Sequence, residues 1–266
     1  MADPSESLHP LDLLYEGKAK RVYLTADPEI LICEFKDDAT AFNAAKRGTI
    51  TGKGEVNCTI AAHLFTYLAE HQIPTHYLQQ LSPTSMLVRG VQILPLEVVV
   101  RNRAAGSLCK RLGILQGQHL TPSLVEFFFK NDQLGDPLVT EDHIQLLQLA
   151  TVDQVEHLRQ MALRINTSLQ SFFQARDLEL VDFKLEFGIG TEGQILLADE
   201  ISPDTCRLWD LTPTGTDQPR VLDKDLFRFD LGDPVAGYQE VLQRVLQVPD
   251  LSAQQKTAQD HHPEQP

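Results

Sequence analysis

The chain has 266 residues, of which 42% are hydrophobic and 23% charged, and its formal net charge at pH 7 is −14. This composition is typical of a globular protein with one large or two small domains. The acidic balance argues against a nucleic-acid-binding protein, which needs a broad basic face. Four dispersed cysteines without a CxxC pair predict reduced thiols, and no stretch predicts a signal peptide or a membrane span, so a cytoplasmic protein is expected.

The first third of the chain is predicted to be rich in strands. After a loose leader of about ten residues, "KRVYLT" and "EILICEFK" carry β-branched and aromatic residues on either side of a turn at Asp27-Pro28. An apolar stripe predicts a helix from about Glu55 to His71, and "SMLVRGVQILPLEVVVRN" predicts further strands. "GTITGKGE" fails as a phosphate loop, because its glycine spacing and its missing Ser or Thr do not fit that motif.

A basic segment follows the last of these strands. Between Arg101 and Arg111 there are four cations and no acid. Arginine forks, the Ser107 hydroxyl and free N–H groups at a helix start would together suit a phosphate monoester. The alternative is a short helix with a solvated basic face.

The second half is predicted to contain two amphipathic helices around a hairpin. Thr151 with Gln154 forms a capping-box signature before a long helix, and Asp233-Pro234 is a start signal for the last one. "ELVDFKLEF" and "QILLADEIS" predict a β-hairpin, in which "GIGTEG" is the connecting loop rather than a dinucleotide fingerprint, because no helix follows it. Segregated strands and helices predict an α+β fold in two lobes.

The predicted hairpin carries a candidate metal site. If it closes symmetrically, Glu186 and Asp199 lie about opposite each other, which is unfavourable without a counter-ion. Mg²⁺ bridging ATP phosphates would serve, because it prefers one or two carboxylates plus phosphate oxygens. The equally weighted alternative is that Lys184 or Arg207 neutralises both acids in a surface ladder.

Three lysines are candidate phosphate ligands. Lys18 and Lys20, in "LYEGKAKRVY", would share one face of a strand, so that both could meet one polyphosphate. Lys130 emerges from the apolar run "FFFKND". Each lysine alone is more often solvated than a ligand. In "DEISPDTCRLWD", Trp209 is expected to be a core residue.

Taken together, these segments resemble the SAICAR synthetases of purine biosynthesis. The matching segments appear in family order, and "PLEVVVRNRAAGS" and "LVDFKLEFG" are the most specific of them. The resemblance implies an ATP-dependent ligase that joins L-aspartate to carboxyaminoimidazole ribonucleotide (CAIR), with an acyl phosphate as intermediate. It also implies an N-terminal lobe like the small lobe of protein kinases and an ATP-grasp-like C-terminal lobe. The corresponding ranges are 1–97 for the ATP-binding lobe and 98–247 for the second lobe. The polar composition of residues 248–266 separately predicts a disordered tail.

The resemblance also assigns roles to individual residues. The implied ATP contacts are Gly17, Lys18, Lys20, Lys130 and Glu97. The implied ribonucleotide phosphate site is Arg101, Ser107 and Arg207, and the implied Mg²⁺ ligands are Glu186 and Asp199. Lys184 is expected beside them as a catalytic group, and Asp204 or Asp136 is expected to accept the proton of the aspartate amine. The expected partners are small molecules, and homodimer formation is left open.

Two other functions compete with the ligase. A small-molecule kinase would also have two lobes, a glycine hairpin and a strand lysine, although HRD and DFG segments are missing. A catalytically silent nucleotide-binding regulator is the second rival. The joint presence of Glu186, Asp199, Arg101 and Arg207 argues against that regulator.

Overall fold

Two antiparallel sheets organise the residues that the computed structural model describes, which are 9–41, 45–212 and 219–247. The predicted tail, residues 248–266, and the first eight residues of the predicted leader lie outside this part of the chain. Both sheets contribute strand ends to one cleft. The mixed α+β prediction is therefore confirmed.

The first sheet contains five strands in the order β1-β2-β3-β7-β6. Their ranges are β1 (Leu13–Glu16), β2 (Lys20–Leu24), β3 (Ile30–Phe35), β6 (Tyr77–Ser82) and β7 (Ser85–Arg89). The predicted helix is α1 (Lys53–Glu70), which packs on β3, β6 and β7 through its buried apolar stripe. A separate two-stranded sheet joins β4 (Asp38–Ala41) to β5 (Lys46–Thr49).

The second sheet has the order β10-β9-β8-β11-β12, and β13 pairs with the first half of β11. Its ranges are β8 (Gln92–Arg103), β9 (His119–Phe129), β10 (Leu138–Val139), β11 (Leu178–Ile189), β12 (Ile195–Ala198) and β13 (Cys206–Asp210). The predicted β11–β12 hairpin is confirmed, with the glycine-rich stretch as its loop. The acidic segment after β12 ends in strand β13, which contains Trp209 as a buried residue.

Five further helices complete the described fold. They are α2 (Ser107–Leu112), α3 (Glu141–Leu146), α4 (Val152–Gln174), α5 (Asp225–Phe229) and α6 (Pro234–Leu246). The predicted capping box is present at α4, where the Thr151 hydroxyl accepts the Gln154 N–H at 3.2 Å and the Gln154 side chain accepts the Thr151 N–H at 2.8 Å. At α6, the Asp233 carboxylate accepts the Val235 N–H at 2.9 Å. None of the described helices has the length and apolar character needed to cross a membrane.

One continuous hydrophobic core connects the two sheets. It includes the buried stripes of α1 and α4, the inner face of β11 and residues of α6. The C-terminal helix α6 packs directly against α1, and the Leu197 carbonyl of β12 accepts the His76 N–H at 2.8 Å. The division at residues 97 and 98 falls inside β8, all of which belongs to the second sheet. Sheet membership changes instead near Gly90, between β7 and β8.

Two sequence-based placements are wrong. Glu186 lies opposite Ala198, not Asp199, because the hairpin closes one residue earlier than the symmetric register requires. Lys18 is not on a strand beside Lys20; it lies in the turn between β1 and β2, and β2 begins at Lys20. The two lysines consequently contact different partners.

Candidate active site

A cleft between the sheets contains most of the candidate residues. It contains one cavity of about 400 Å³ and a second of about 550 Å³, and Lys18 and Thr40 line both. The predicted site residues that line the first cavity are Lys18, Glu97, Arg101, Asp136, Lys184, Asp204 and Arg207. Gly17 lines the second cavity. Ser107 contacts Arg101, Glu186 and Asp199 contact Lys184, and Lys130 and Lys20 contact these two acids, so that the structure brings the predicted set together.

Strand β11 supplies the central charged residues of the site, because alternate residues of a strand point to one face. Asp182, Lys184 and Glu186 therefore share a face. On the neighbouring strand β8, Arg101 lies opposite Asp182 and Glu97 lies opposite Glu186. The like-charged cross-strand pair in this site is thus Glu97 with Glu186, and Lys184 between them supplies the required counter-charge.

We call the group at the Glu186 end of β11 the lysine cluster. It consists of Lys20, Lys130 and Lys184 with Glu97, Glu186, Asp199 and Glu200. Lys184 Nζ lies 3.0 Å from Glu97 Oε1, 2.5 Å from Glu186 Oε1 and 3.6 Å from Asp199 Oδ2. Lys130 Nζ binds the other oxygen of Glu186, and Lys20 Nζ donates to Asp199.

The lysine cluster holds strongly perturbed pKa values. Burial alone raises the pKa of Asp199, but the charges of Lys20, Lys184 and Lys130 outweigh burial and hold that pKa below its usual range. Burial lowers the pKa of Lys184, and Glu186, Asp199 and Glu97 reverse this to leave it well above its ordinary value. Asp199 and Lys184 are therefore both charged at neutral pH. The alternative in which Lys184 neutralises both acids is observed, although Glu186 is buried rather than in a surface ladder.

We call the group at the Asp182 end of β11 the arginine cluster. It consists of Arg101, Arg207, Asp182, Asp225 and Glu126. Arg101 Nη1 donates to Asp182 Oδ2 at 2.6 Å, and Arg207 Nη1 donates to the two oxygens of the same carboxylate at 3.0 and 2.8 Å. Arg101 Nε donates to Glu126 at 2.7 Å, and Arg207 Nε donates to Asp225 at 2.8 Å.

The start of helix α2 adjoins the arginine cluster. Arg101 Nη2 approaches the Ser107 hydroxyl at 3.4 Å. Gly106 has φ +56°, and a Cβ there would lie 2.5 Å from Arg207 Nη2, so only glycine lets the guanidinium lie so close to the chain. The basic segment is therefore not a solvated helix face at Arg101, which is buried.

Asp204 lines the same cavity but belongs to neither cluster. Its Oδ2 accepts from Lys53 Nζ at 2.8 Å, and its Oδ1 accepts from the Tyr238 hydroxyl at 2.6 Å. Burial raises the pKa of Asp204, but Lys224 and Lys53 together with these hydrogen bonds hold it below its usual range. Its carboxylate thus ties α1 and α6 to the loop before β13.

The other candidate proton acceptor and the glycine hairpin lie at the cavity edge. Asp136 has φ +49°, and its Oδ1 accepts the Asn131 N–H at 2.8 Å. Lys18 Nζ lies 2.6 Å from Asp132 Oδ1 in an exposed ion pair. This pair connects the β1–β2 turn to the segment after β9.

The chemistry of the acids suits a hard divalent cation, with phosphate oxygens completing its ligands. Among the described residues, no group of three or more His, Cys, Asp or Glu side chains could hold a metal ion by itself. Glu186 and Asp199 nevertheless offer oxygen donors beside three lysines. Mg²⁺ with one or two carboxylates plus nucleotide phosphates fits this donor set.

Sequence reasoning missed several residues of the site, among them Asp182, Lys53 and Glu200. Asp182 was not predicted, although it accepts hydrogen bonds from both Arg101 and Arg207. Lys53 lies in "GTITGKGE", which fails as a phosphate loop, and Glu200 lies in "DEISPDTCRLWD". A lysine at the start of an apolar helix, and a charged residue alternating with large apolar ones, were the available signals.

Comparisons with known proteins agree on one family. The SAICAR synthetase family profile matches residues 13–245. The phosphoribosylaminoimidazole-succinocarboxamide synthase of Synechococcus sp. (strain JA-2-3B'a(2-13)) is 70% identical over 238 residues, which are 90% of this chain and 95% of that protein.

Two solved structures share the fold at high similarity. The crystal structure of phosphoribosylaminoimidazole-succinocarboxamide synthase from Ehrlichia chaffeensis has a TM-score of 0.85 and 41% identity, covering 90% of this chain and all of that one. A SAICAR synthetase (Type-2) in complex with ADP has a TM-score of 0.83 and 44% identity, covering 87% and 97%. The profile matches most of the chain and the curated relative is 70% identical over 90% of it, and the chain belongs to the SAICAR synthetase family.

Proposed function

We propose that the cleft is the active site of an ATP-dependent ligase that condenses L-aspartate with CAIR to give SAICAR, ADP and phosphate. Family membership supports the overall activity, and the ADP complex of a relative supports the use of ATP. The observation that carries the assignment to this cleft is the arrangement on β11. One face of this strand holds the lysine cluster at one end and the arginine cluster at the other, with Lys184 between Asp182 and Glu186.

The first sheet with α1 resembles the small lobe of a protein kinase, and the second sheet forms the proposed ATP-grasp-like lobe. A five-stranded antiparallel sheet packed on one helix supports the first comparison. We propose that the two lobes comprise residues 1–97 and 98–247. The sheets themselves divide slightly earlier, because β8 belongs to the second sheet from Gln92 onward. ATP would then lie between the sheets, under the β1–β2 turn.

The lysine cluster is the proposed nucleotide site. Gly17 in the adjoining β1–β2 turn lets the hairpin approach the phosphates, and Lys18 of that turn supplies positive charge together with Lys20 and Lys130. Glu97 lies 3.0 Å from Lys184 in the same cluster. Glu186 and Asp199 would hold Mg²⁺ together with phosphate oxygens, and bound Mg²⁺ would supply charge stabilisation during phosphoryl transfer. The lysines that now neutralise these acids would turn to the phosphates.

The arginine cluster is the proposed site for the phosphate of the ribonucleotide. Arg101 and Arg207 present planar guanidinium groups, which suit two oxygens of a phosphate monoester. The Ser107 hydroxyl and the start of α2 lie next to them. Asp182, which both arginines share, fixes their planes before the ligand arrives.

The proposed chemistry proceeds through an acyl phosphate. The CAIR carboxylate is a poor electrophile, because direct attack by an amine would expel an oxide, whereas transfer of the ATP γ-phosphoryl group makes phosphate the leaving group. Lys184, which lies between Glu186 and Asp182 on β11, would stabilise the charge that develops during this transfer. The amine of aspartate then attacks, and holding the reactants in one cavity supplies much of the rate.

The proton of the aspartate amine needs an acceptor. Asp204 is poorly placed to accept it, because Lys53 and Tyr238 hold both of its oxygens and its pKa is lowered. Asp136 also lines the cavity, and within the described part of the chain its carboxylate accepts one hydrogen bond, from the Asn131 N–H. We therefore favour Asp136 as proton acceptor and Asp204 as a positioning residue.

The test is ADP release by the purified chain with Mg²⁺, ATP, CAIR and L-aspartate, omitting each component in turn. The ligase requires all four, and its product is detected by mass. ADP release that needs no aspartate would indicate a kinase instead. Nucleotide binding without any release would indicate a catalytically silent regulator.

A further inference from the structure

Glu200 lies directly beside the proposed metal ligand Asp199, yet the ligase mechanism above uses no atom of it. Its side chain is buried, and Oε1 lies 2.9 Å from Lys20 Nζ. Lys20 therefore has two carboxylate partners that are neighbours in the chain, Asp199 and Glu200. A buried carboxylate is costly to retain, so this second partner calls for a role.

The chain fixes Glu200 more firmly than Asp199. Glu200 Oε2 accepts from the Ser202 hydroxyl at 2.5 Å, and Ser202 Oγ in turn accepts the Asp204 N–H at 3.1 Å. The Ser202 N–H donates to Thr205 Oγ1 at 3.1 Å, which closes the turn. The carboxylate of Asp199, by contrast, is held by lysine side chains, Lys20 and Lys184.

A divalent cation that binds in the lysine cluster must replace ion pairs that are already there. The cluster contains four carboxylates and three ammonium groups, Lys20, Lys130 and Lys184. A divalent cation at Asp199 must displace ammonium groups from its oxygens. Lys20 is largely buried, with only 14% of its side chain exposed, and a buried ammonium group left without a partner is strongly unfavourable.

We propose that Glu200 is a positioning residue that keeps Lys20 in the site when Asp199 exchanges this lysine for magnesium. The inference rests on the proposed function, because it takes Asp199 as a metal ligand. With Glu200 present, Lys20 moves away from Asp199 without losing its counter-charge, and it stays beside the nucleotide phosphates. Without the charge of Glu200, Lys20 and magnesium compete for Asp199.

This competition predicts a defect that depends on the metal. In Glu200→Gln, the side-chain volume is kept and the charge is removed. We expect the Kd of ADP in the presence of Mg²⁺ to rise by about tenfold or more, which corresponds to roughly 1.4 kcal/mol. The Kd of ADP in EDTA should change less than about twofold, because Lys20 can then remain on Asp199.

Isothermal titration of the full chain with ADP, once with Mg²⁺ and once with EDTA, measures both values. Glu179→Gln is the matched control: it removes a carboxylate from the far end of β11, where Glu179 accepts from Arg103 Nε at 2.5 Å. Ser202→Ala keeps the charge of Glu200 but removes its hydroxyl donor. It should shift the Mg²⁺-dependent Kd in the same direction by a smaller factor, and it tests the proposal if Glu200→Gln does not fold.

The outcomes separate this inference from the proposed function. Equal weakening with and without Mg²⁺, no weakening, or the same shift in Glu179→Gln would each overturn the role of Glu200. If the Kd of ADP for the wild-type chain is the same with Mg²⁺ and with EDTA, the metal assignment itself is overturned. This measurement requires no variant, so the two failures can be told apart.

Discussion

The two ends of strand β11 hold charge in different ways. At the arginine cluster, two guanidinium groups grip one carboxylate, Asp182, through several hydrogen bonds of defined direction. At the lysine cluster, Lys184 is shared among three carboxylates at distances from 2.5 to 3.6 Å. An arginine fork has fixed geometry, whereas an ammonium group is a compact charge that can change partners.

This difference matches what each end is proposed to do. A phosphate monoester keeps its shape from binding to release, so a preformed planar site serves it well. A nucleotide that transfers its terminal phosphoryl group changes both charge and position, so its counter-charges must move with it. The comparison therefore predicts that substitutions at the lysine cluster change turnover, while those at the arginine cluster change the affinity for one substrate.

The largest expected effect tests the lysine cluster. Glu186→Gln should lower kcat by about 10³-fold or more, because it removes a proposed metal ligand and the partner of Lys130 and Lys184. Steady-state kinetics measure this loss, and thermal unfolding checks the fold. Glu179→Gln, on the same strand, is the control that should keep normal turnover. Near-normal turnover of a folded Glu186→Gln protein would refute the metal assignment.

The next largest effect is a loss of stability, and it tests Asp204, which belongs to neither cluster. Asp204→Asn leaves Lys53 buried without its carboxylate, which should lower the free energy of unfolding by about 3–5 kcal/mol. The folded pKa of Asp204 is depressed, so its contribution is present above the ordinary carboxyl pKa of about 3.9 and is lost as pH falls through the folded value.

Urea unfolding from pH 7 down to pH 2 measures this contribution. The difference in stability between the wild type and Asp204→Asn should be largest at neutral pH and should shrink below about pH 4. A variant with unchanged stability but greatly reduced kcat would contradict the positioning role and restore Asp204 as the proton acceptor.

A smaller effect tests the fixed geometry of the arginine cluster. Arg101→Lys keeps the charge but loses the fork, so the Kd of CAIR should rise by about 10–100-fold while the Kd of ADP changes less than about twofold. Separate titrations of the two ligands measure both values, and Arg103→Lys is the matched control. Equal losses for the two ligands would show that the two ends of β11 are not specialised.

The smallest expected effect concerns the exposed pair between Lys18 and Asp132. Exposed ion pairs contribute little, so Lys18→Ala should leave thermal unfolding nearly unchanged. Loss of a phosphate-directed charge should raise the KM of ATP by about two- to fivefold, with a larger factor at low salt. A KM that rises equally at high and low salt would argue against an electrostatic role.

Local patterns were sufficient to predict several elements. The helix α4 could be located because a capping box and a 3.6-residue apolar stripe agree over its length, and both are local. The β11–β12 hairpin was likewise predictable from alternation and a glycine-rich loop. The predicted set of site residues also lies around one cleft.

Pairing between distant segments was not predictable in the same way. The register of Glu186 depends on where the hairpin loop closes, and one residue of difference moved Asp199 away from it. Asp182 meets Arg101 and Arg207 only because β8 and β13 flank β11 on opposite sides. Neither neighbour can be read from the alternation of β11 itself.

The contact of α6 with α1 sets the order in which the site can be completed. Both lysine and arginine clusters are supplied by residues up to Asp225, but the hydroxyl that holds Asp204 comes from Tyr238 on the last described helix. Without α6, the Asp204 carboxylate would keep its hydrogen bond from Lys53 on α1 but would lack the one from Tyr238. This side of the cleft is therefore completed only when the last described helix packs against α1.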